Sequence, residues 1–189
     1  VEKFIANVRT DYKPYFTVRF FTGLRTGEVH GLQWRYIDFE RREILVRETY
    51  SHLGREYTKN DGSQREVRMS EPVYQALKAQ YEASGTLSEY VFCTSVGTPI
   101  DPLNVNKRVW KPTLKLLGMK DRRFYQTRHT AATLWLASGE APEWIARQMG
   151  HTSTEMLFKV YSRYVPNLTR QDGSAFERLL LQRMGGGVE

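Results

Sequence analysis

The sequence is poor in features that mark several other classes of protein. It has a single cysteine, Cys93, so no internal disulfide can form, which suits a reducing compartment. No apolar run approaches the roughly 20 residues that a membrane-spanning helix needs, and the amphipathic start VEKFIANVRT lacks the apolar segment of a secretory signal. Neither a metal-binding cluster nor a nucleotide-binding loop is recognisable. We therefore expect no metal, no cofactor, no membrane and a cytoplasmic location.

The overall composition is that of a basic, single-domain protein. The chain has 189 residues, of which 40% are hydrophobic, enough for one compact domain with a substantial core. Its formal net charge of +7 favours binding to polyanions. Charge alone also fits a protein whose excess of basic residues serves no specific partner.

Apolar periodicity, together with prolines and glycines at the ends of segments, predicts a mostly helical chain. Pro14 and Pro142 suit first helical turns, Gly23 and Gly150 suit helix ends, and Pro112 predicts a kink. Helices are predicted at 1–9, 12–23, 26–33, 71–83, 102–117, 127–138, 142–149, 153–164 (from a Thr152–Glu155 capping box) and 173–183.

A small antiparallel sheet is predicted after the first helices. Residues 43–50 are β-branched and partly alternating, which indicates a strand. Residues 55–59 and 64–69 flank a turn signal, Asn60-Asp61-Gly62, and predict a hairpin. A short strand is predicted at 90–93. The fold class is therefore α+β, mostly α-helical, with a small inserted antiparallel sheet.

Arg25 is the first residue whose position suggests chemistry. It lies between a glycine-ended helix and the start of the next one, where free backbone N–H groups favour an anion. Glu28 is close enough in sequence to orient its guanidinium. The alternative is an ordinary surface Arg–Glu pair.

Two further cations lie in suitable local patterns. Lys59 precedes the predicted hairpin tip, from which an ammonium could reach a phosphate or protonate a leaving oxygen; a solvated lysine is the alternative. Arg128 and His129 open a predicted helix, and adjacent helical residues do not share a face. We expect Arg128 to point into a site and His129 to pack as a hydrogen-bonded helix residue.

The last candidates follow a predicted helix–helix corner. His151 comes directly after Gly150, where its ring can face a cleft and exchange protons with a phosphoryl oxygen, or merely cap a helix. Tyr161 and its rival Tyr164 are either core residues or nucleophiles. A free phenol has a pKa near 10, so a nucleophilic tyrosine needs a base or dense positive charge beside it.

In this order, the motifs resemble the catalytic domain of the tyrosine recombinases, the phage-integrase family. Thr22–Glu28 resembles T-G-[LM]-R-x-[GS]-E, and Thr58-Lys59 resembles the catalytic-lysine hairpin. Arg128-His129-Thr130 resembles R-H-[TS], Met149-Gly150-His151 resembles [LM]-G-H, and Tyr161-Ser162-Arg163 resembles Y-x-[HR]. The resemblance covers essentially the whole chain.

The resemblance implies a mechanism and its residues. Tyr161 would attack a DNA phosphodiester to give a 3′-phosphotyrosyl bond and a free 5′-hydroxyl. Lys59 would protonate the leaving oxygen, Arg25 and Arg128 would hold the phosphate, and His151 would assist. A 5′-hydroxyl from another strand would then reverse the reaction without ATP, metal or cofactor, so the implied function is site-specific recombination or integration.

The resemblance also implies partners and a setting. Family members act as four protomers on two duplexes of double-stranded DNA, and helix 173–183 would dock on a neighbouring protomer of the homo-oligomer. The protein would work at the nucleoid of a bacterial or phage-infected cell. Residues 1–189 would be a catalytic domain, with 173–189 as its C-terminal helix and tail and without amino-terminal DNA-binding domains.

Two departures from the family pattern keep other hypotheses open. The family usually has histidine three positions before its second arginine, where this chain has Tyr125. Tyr161 stands ten residues after His151, one more than usual, which keeps Tyr164 as an alternative nucleophile. The alternatives are a weak or inactive DNA-binding module of the same fold and a type IB topoisomerase-like enzyme that relaxes DNA.

Overall fold

The computed structural model describes residues 1–51, 54–57 and 64–161, together with the single positions 177, 180 and 181. The helices in these residues are α1 (Glu2–Asn7), α2 (Lys13–Thr22), α3 (Thr26–His30), α4 (Glu71–Ser84), α5 (Pro102–Val105), α6 (Lys111–Leu116), α7 (Gln126–Ser138), α8 (Pro142–Met149) and α9 (Glu155–Tyr161). Short 3₁₀ turns occupy Thr10–Tyr12 and Trp34–Tyr36. None of the helices in the described part is long and apolar enough to cross a membrane.

The strands form two small antiparallel sheets inserted between α3 and α4. Strands β1 (Ile37–Asp38), β2 (Glu43–Val46) and β5 (Arg65–Arg68) form one sheet in the order β1-β2-β5, with Ile44 opposite both Ile37 and Val67. Strands β3 (Glu48–Ser51) and β4 (Gly54–Tyr57) form the other. The predicted class, mostly helical with a small antiparallel sheet, is confirmed.

The predicted strand pairing is wrong in three places. The single strand 43–50 is divided at Arg47 into β2 and β3, which belong to different sheets. The predicted hairpin of 55–59 with 64–69 does not form, because β4 pairs with β3 and β5 pairs with β2. Residues 90–93 make only isolated bridges, Gln33 with Tyr90 and Cys93 with Pro99. The turn Asn60-Asp61-Gly62 lies outside the described residues.

Most predicted helices are present, with shifted ends. Helix α3 stops at His30, before the predicted 33, and α9 begins at Glu155, so Thr152 precedes the N-cap position and the predicted capping box does not form there. The predicted helix 102–117 contains a π-helical stretch, Asn106–Trp110, just before Pro112. Proline has no N–H to offer the carbonyl four residues earlier, so the irregularity falls in the preceding turn. Most of the predicted helix 173–183 lies outside the described residues.

Two hydrophobic clusters hold the elements together. The larger one joins α1, α2, the sheet β1-β2-β5 and α4 around aromatic rings such as Phe4, Phe16 and Trp110. The smaller one joins α7, α8 and α9 through Ala132, Leu136, Ile145, Met149, Leu157 and Tyr161. Helix α7 contacts both α2 and α8, so its first turns lie at the junction of the two clusters.

Candidate active site

Arg25 is brought to the junction by a tight turn at the end of α2. Gly23 there is left-handed, at φ 63°, and a Cβ on it would come within 3.1 Å of the Trp135 ring. Arg25 is then the N-cap of α3, where its backbone N–H donates to a Glu28 carboxylate oxygen (2.7 Å) and its Nη1 to the other (2.9 Å). Its Nη2 donates to the carbonyl of Gly150 (3.1 Å). The turn thus places Arg25 against the corner after α8.

Arg128 reaches the same corner from α7. Only 2% of this residue is exposed. Its Nη1 donates to the carbonyl of Gly23, and its Nη2 donates to the carbonyl of Met149 (2.6 Å) and lies 3.2 Å from Nε2 of His151. Burial lowers the pKa of Arg128 below its usual value, but guanidinium groups stay protonated in proteins. Among the described residues it forms no salt bridge, so its charge remains available to an anion.

His151 is placed at this corner by a helix end. Gly150 is left-handed at φ 66°, and the N–H of His151 donates back to the carbonyl of Ala146 (2.9 Å). Burial, followed by the charge of Arg128, lowers the pKa of His151 to about 4, so the ring is neutral at pH 7. Because Arg128 can only donate, Nε2 of His151 accepts in their contact and the proton sits on Nδ1.

A buried ion pair that the sequence interpretation missed supports these side chains. Arg65 on β5, 7% exposed, donates to both carboxylate oxygens of Glu28 (2.9 and 2.8 Å) and, through Nε, to the carbonyl of Gln148 (2.7 Å). Glu28 thus links Arg25 to the sheet. The sequence does contain a signal for this pair, because alternate side chains of a strand share a face. Arg65 therefore lies on the same face of β5 as the fully buried Val67. An arginine on the apolar face of a strand indicates a buried acidic partner.

The electrostatics of Glu28 predict a loss of stability in acid. Burial alone would raise its pKa, but hydrogen bonds and charge from Arg65, and then from Arg25, outweigh burial and hold the pKa at about 2. A carboxyl whose pKa is lowered by folding contributes stability above its unfolded pKa and loses it as pH falls toward the folded value. We expect the free energy of unfolding, measured with urea, to drop between about pH 5 and pH 2, with about 3 kcal/mol of the drop due to Glu28.

The matched variant for this measurement is Glu28→Gln. It leaves the guanidinium of Arg65 without a carboxylate, which costs about 3 to 5 kcal/mol at neutral pH. Its stability should then vary less with pH below about pH 5. An equally steep acid slope in wild type and variant would contradict this assignment.

Gly150 offers a second stability prediction with a matched control. A Cβ on Gly150 would come within 3.0 Å of Nη1 of Arg65, whereas a Cβ on Gly139, also left-handed at φ 89°, would have nothing within 4 Å. Both alanine variants carry a backbone cost of about 1 to 2 kcal/mol. Only Gly150→Ala also displaces Arg65, so urea unfolding should show the larger loss for Gly150→Ala. Equal losses would mean that the corner accommodates the methyl group.

Tyr161 ends the described part of α9, close enough to Arg128 for that charge to act on its phenol. Only 4% of it is exposed, and its hydroxyl hydrogen-bonds to Nδ1 of His129. Burial raises the pKa of Tyr161 to about 12, and the nearby charge of Arg128 partly opposes this rise. His129 is thus a hydrogen-bonded helix residue, as expected, but its partner is the Tyr161 hydroxyl on α9, which the sequence did not indicate. Position within a helix could not reveal this, because which of two neighbouring residues faces the site depends on where α9 docks.

The remaining sequence candidates are placed differently. Tyr125 is 44% exposed, and its ring lies edge-to-face against that of His129 at a centroid distance of 5.4 Å. Lys59 and Tyr164 lie outside the described residues. In the described ranges 1–51, 54–57 and 64–161, no group of three or more histidine, cysteine, aspartate or glutamate side chains is arranged to hold a metal ion.

A polar cavity of about 260 Å³ adjoins the Tyr161 hydroxyl. Its lining residues come from the loop before α7, from α7 and from α9; they are Arg122, Gln126, His129, Thr130, Thr133, Val160 and Tyr161. The site thus consists of two parts joined by α7. One part holds Arg25, Arg128 and His151 and suits a phosphate; the other presents a phenol next to an imidazole.

Comparison with known proteins gives a consistent picture. The sequence model of the phage integrase family matches residues 1–167. The chain is similar to the prophage integrase IntR of Escherichia coli K12 (28% identical; 78% of this chain, 42% of IntR). It is also similar to a XerC-like tyrosine recombinase of Caldanaerobacter subterraneus (29% identical; 88% of this chain, 48% of the relative). The chain thus spans about half the length of these curated relatives.

A solved structure shares the fold. The Tn1549 transposon integrase in complex with circular intermediate DNA superimposes with a TM-score of 0.77 over 97% of this chain and 64% of that one, at 20% identity. At that identity the likeness establishes the fold.

Proposed function

Since this chain belongs to the phage integrase family, we propose that it cuts and rejoins double-stranded DNA as the catalytic domain of a site-specific recombinase. The observation that carries the proposal is the convergence of Arg25, Arg128 and His151 from three distant segments, with the phenol of Tyr161 close enough to Arg128 for that charge to act on it. Residues 1–189 would form this domain, with 173–189 as its C-terminal helix and tail.

The arginines would bind the phosphate that reacts. Arg128 is fixed by two backbone carbonyls and Arg25 by Glu28, so neither guanidinium has to reorganise when charge develops on the phosphoryl oxygens. Preorganised donors of this kind stabilise the pentacoordinate transition state more than the ground state. His151, neutral and accepting a hydrogen bond from Arg128, would assist by holding that guanidinium in place.

The reaction would proceed through a covalent intermediate. The Tyr161 oxygen would form a bond to phosphorus while the bond from phosphorus to the 5′-oxygen breaks, leaving a 3′-phosphotyrosyl link. The leaving 5′-oxygen would take a proton from Lys59. Attack by the 5′-hydroxyl of another strand would reverse these steps and rejoin the DNA, with no net change in bond energy.

The proposed partners follow from charge and from the relatives. A net charge of +7 favours the DNA backbone, and the Tn1549 integrase was solved in complex with DNA. We propose that the chain works as a homotetramer on two duplexes, with helix 173–183 docking on a neighbouring protomer, at the nucleoid of a bacterial or phage-infected cell. Nothing in the described site favours an inactive module, since both arginines and the phenol are present.

The experiment uses a DNA probe obtained with the protein itself. Nicked duplexes of random sequence are incubated with wild type, and those linked covalently to the protein are recovered from denaturing gels and amplified. The selected duplex should form an adduct through its 3′-phosphate. Binding without adduct formation would favour the inactive module, and relaxed plasmid without recombinant product would favour the topoisomerase-like alternative.

A further inference from the structure

The contact between His129 and Tyr161 has chemical consequences beyond packing. His129 is half-buried on α7 and Tyr161 is 4% exposed on α9, and their ring centroids are 5.6 Å apart. Nδ1 of His129 meets the phenol oxygen directly, at the edge of the polar cavity that adjoins the site. The imidazole thus touches the very atom that the proposed function makes the nucleophile.

A nucleophilic phenol in this position must lose its proton to something. Burial raises the pKa of Tyr161 to about 12, so the hydroxyl is protonated at neutral pH. Tyr125 occupies the place where the family usually has histidine, but a phenol is a poor proton acceptor at neutral pH. Tyr125 is also 44% exposed, and its hydroxyl makes no hydrogen bond to a described residue. Among the residues that the structure describes, the basic nitrogen that contacts the hydroxyl is Nδ1 of His129.

We propose that His129 is the general base of the reaction, an inference that rests on the proposed function. The O–H bond of Tyr161 breaks, its proton passes to Nδ1 of His129, and the phenolate oxygen bonds to phosphorus as the 5′-oxygen leaves with a proton from Lys59. The imidazolium returns its proton to the phenol when the strand is rejoined. Histidine would thus act one residue after the second arginine instead of three residues before it.

The surroundings keep His129 in the form that can accept a proton. Its titratable or charged neighbours are Arg128 on the same helix, the ring of Tyr125, Tyr161 across the contact and Arg122 at the far side of the cavity. Burial, and then the charge of Arg128, lower the pKa of His129 below its usual 6.5. The neutral base therefore predominates at neutral pH, and the cleavage rate should fall as pH drops through this lowered value.

The test compares single-turnover cleavage of the selected nicked duplex by wild type, His129→Asn and His129→Ala. Asparagine keeps a hydrogen-bonding group near the position of Nδ1 but cannot carry the proton. Both variants should lose about 10² to 10⁴-fold in cleavage rate, as expected for loss of a general base. DNA affinity should change less than threefold, and the acidic limb of the rate profile should shift or disappear. Tyr125→Phe should cost far less than His129→Asn.

A second measurement works on the phenol and keeps His129 in place. Incorporation of 3-fluorotyrosine at position 161 lowers the phenol pKa, so attack should depend less on the base. Fluorotyrosine should restore part of the cleavage rate lost in His129→Ala, and it should change the cleavage rate of the chain with His129 by a smaller factor.

Several outcomes would overturn the inference. Near-wild-type cleavage by His129→Asn would do so, as would an unchanged acidic limb or a larger loss in Tyr125→Phe. If the histidine variants bind DNA poorly, fluorotyrosine at position 161 in the chain that keeps His129 decides the question. An acidic limb as deep as the one seen with tyrosine would then reject the inference, because attack by the more acidic phenol should depend less on the base. In each of these cases the wild-type protein still forms the adduct, so the proposed function is retained. A wild-type protein that forms no adduct would reject both the proposed function and the role of His129.

Discussion

Replacing Tyr161 with phenylalanine should lower the rate of covalent adduct formation with the selected nicked duplex by a factor on the order of 10⁴ or more. Phenylalanine keeps the ring that packs in the α7–α9 cluster and removes only the oxygen that would bond to phosphorus. The one hydrogen bond lost, to His129, is worth about 1 kcal/mol of stability. The variant should therefore fold and bind DNA normally while a denaturing gel shows no linked protein.

The matched control for this measurement is Tyr164→Phe. Tyr164 is the alternative nucleophile, and under the proposed function its variant should form the adduct at nearly the wild-type rate. An adduct in Tyr161→Phe that disappears in Tyr164→Phe would transfer the role to Tyr164. The hydrogen bond of Tyr161 to His129 and its proximity to the charge of Arg128 would then contribute only to the packing of α9.

The parts of the fold that sequence could predict are those that local chemistry decides. Gly23, Gly139 and Gly150 end α2, α7 and α8 in left-handed conformations, because a residue without Cβ adopts them at little cost. Pro14, Pro72 and Pro142 stand in first turns, where their missing N–H is not needed. These signals act over a few residues, so the helices were predictable even when their ends were displaced.

Strand pairing was less predictable because it depends on partners far along the chain. The turn signal at 60–62 suggested a local hairpin, yet β5 pairs with β2 and β4 with β3. Arg47 divides the predicted strand 43–50 by reaching across to the carbonyl of Arg65 (3.2 Å) and to the carboxylate of Glu66. Such contacts exist only once the sheet has assembled, so the alternation of apolar and polar residues along the sequence indicates them only weakly.

The site shows the same division between local and long-range information. The order of motifs singled out Arg25, Arg128 and His151, and the structure brings these three together. What sequence did not reveal is how they are supported: the pair Glu28–Arg65 joins segments 37 residues apart. The partner of Tyr161 depends on how two helices dock, so it could not be read from spacing.

Arg128→Lys should also have a large effect, a loss of roughly 10³-fold or more in cleavage rate with less than about tenfold loss of DNA affinity. Lysine keeps the charge, but a single ammonium cannot contact the carbonyls of Gly23 and Met149 and Nε2 of His151 in the fork geometry of guanidinium. The missing donors would count most in the transition state, where charge on the phosphoryl oxygens is greatest. Single-turnover cleavage and equilibrium binding of the selected duplex would separate the two effects.

Arg123→Lys provides the matched control, because Arg123 is exposed and lies only five residues before Arg128. An exposed arginine that merely meets the DNA backbone should lose little in either measurement on conversion to lysine, since the charge is kept. Losses of equal size in binding and cleavage for Arg128→Lys would make Arg128 an ordinary phosphate contact. The buried position of Arg128 argues for the larger role: a cation desolvated this far, with carbonyls in place of a carboxylate, is held ready for an anion from outside.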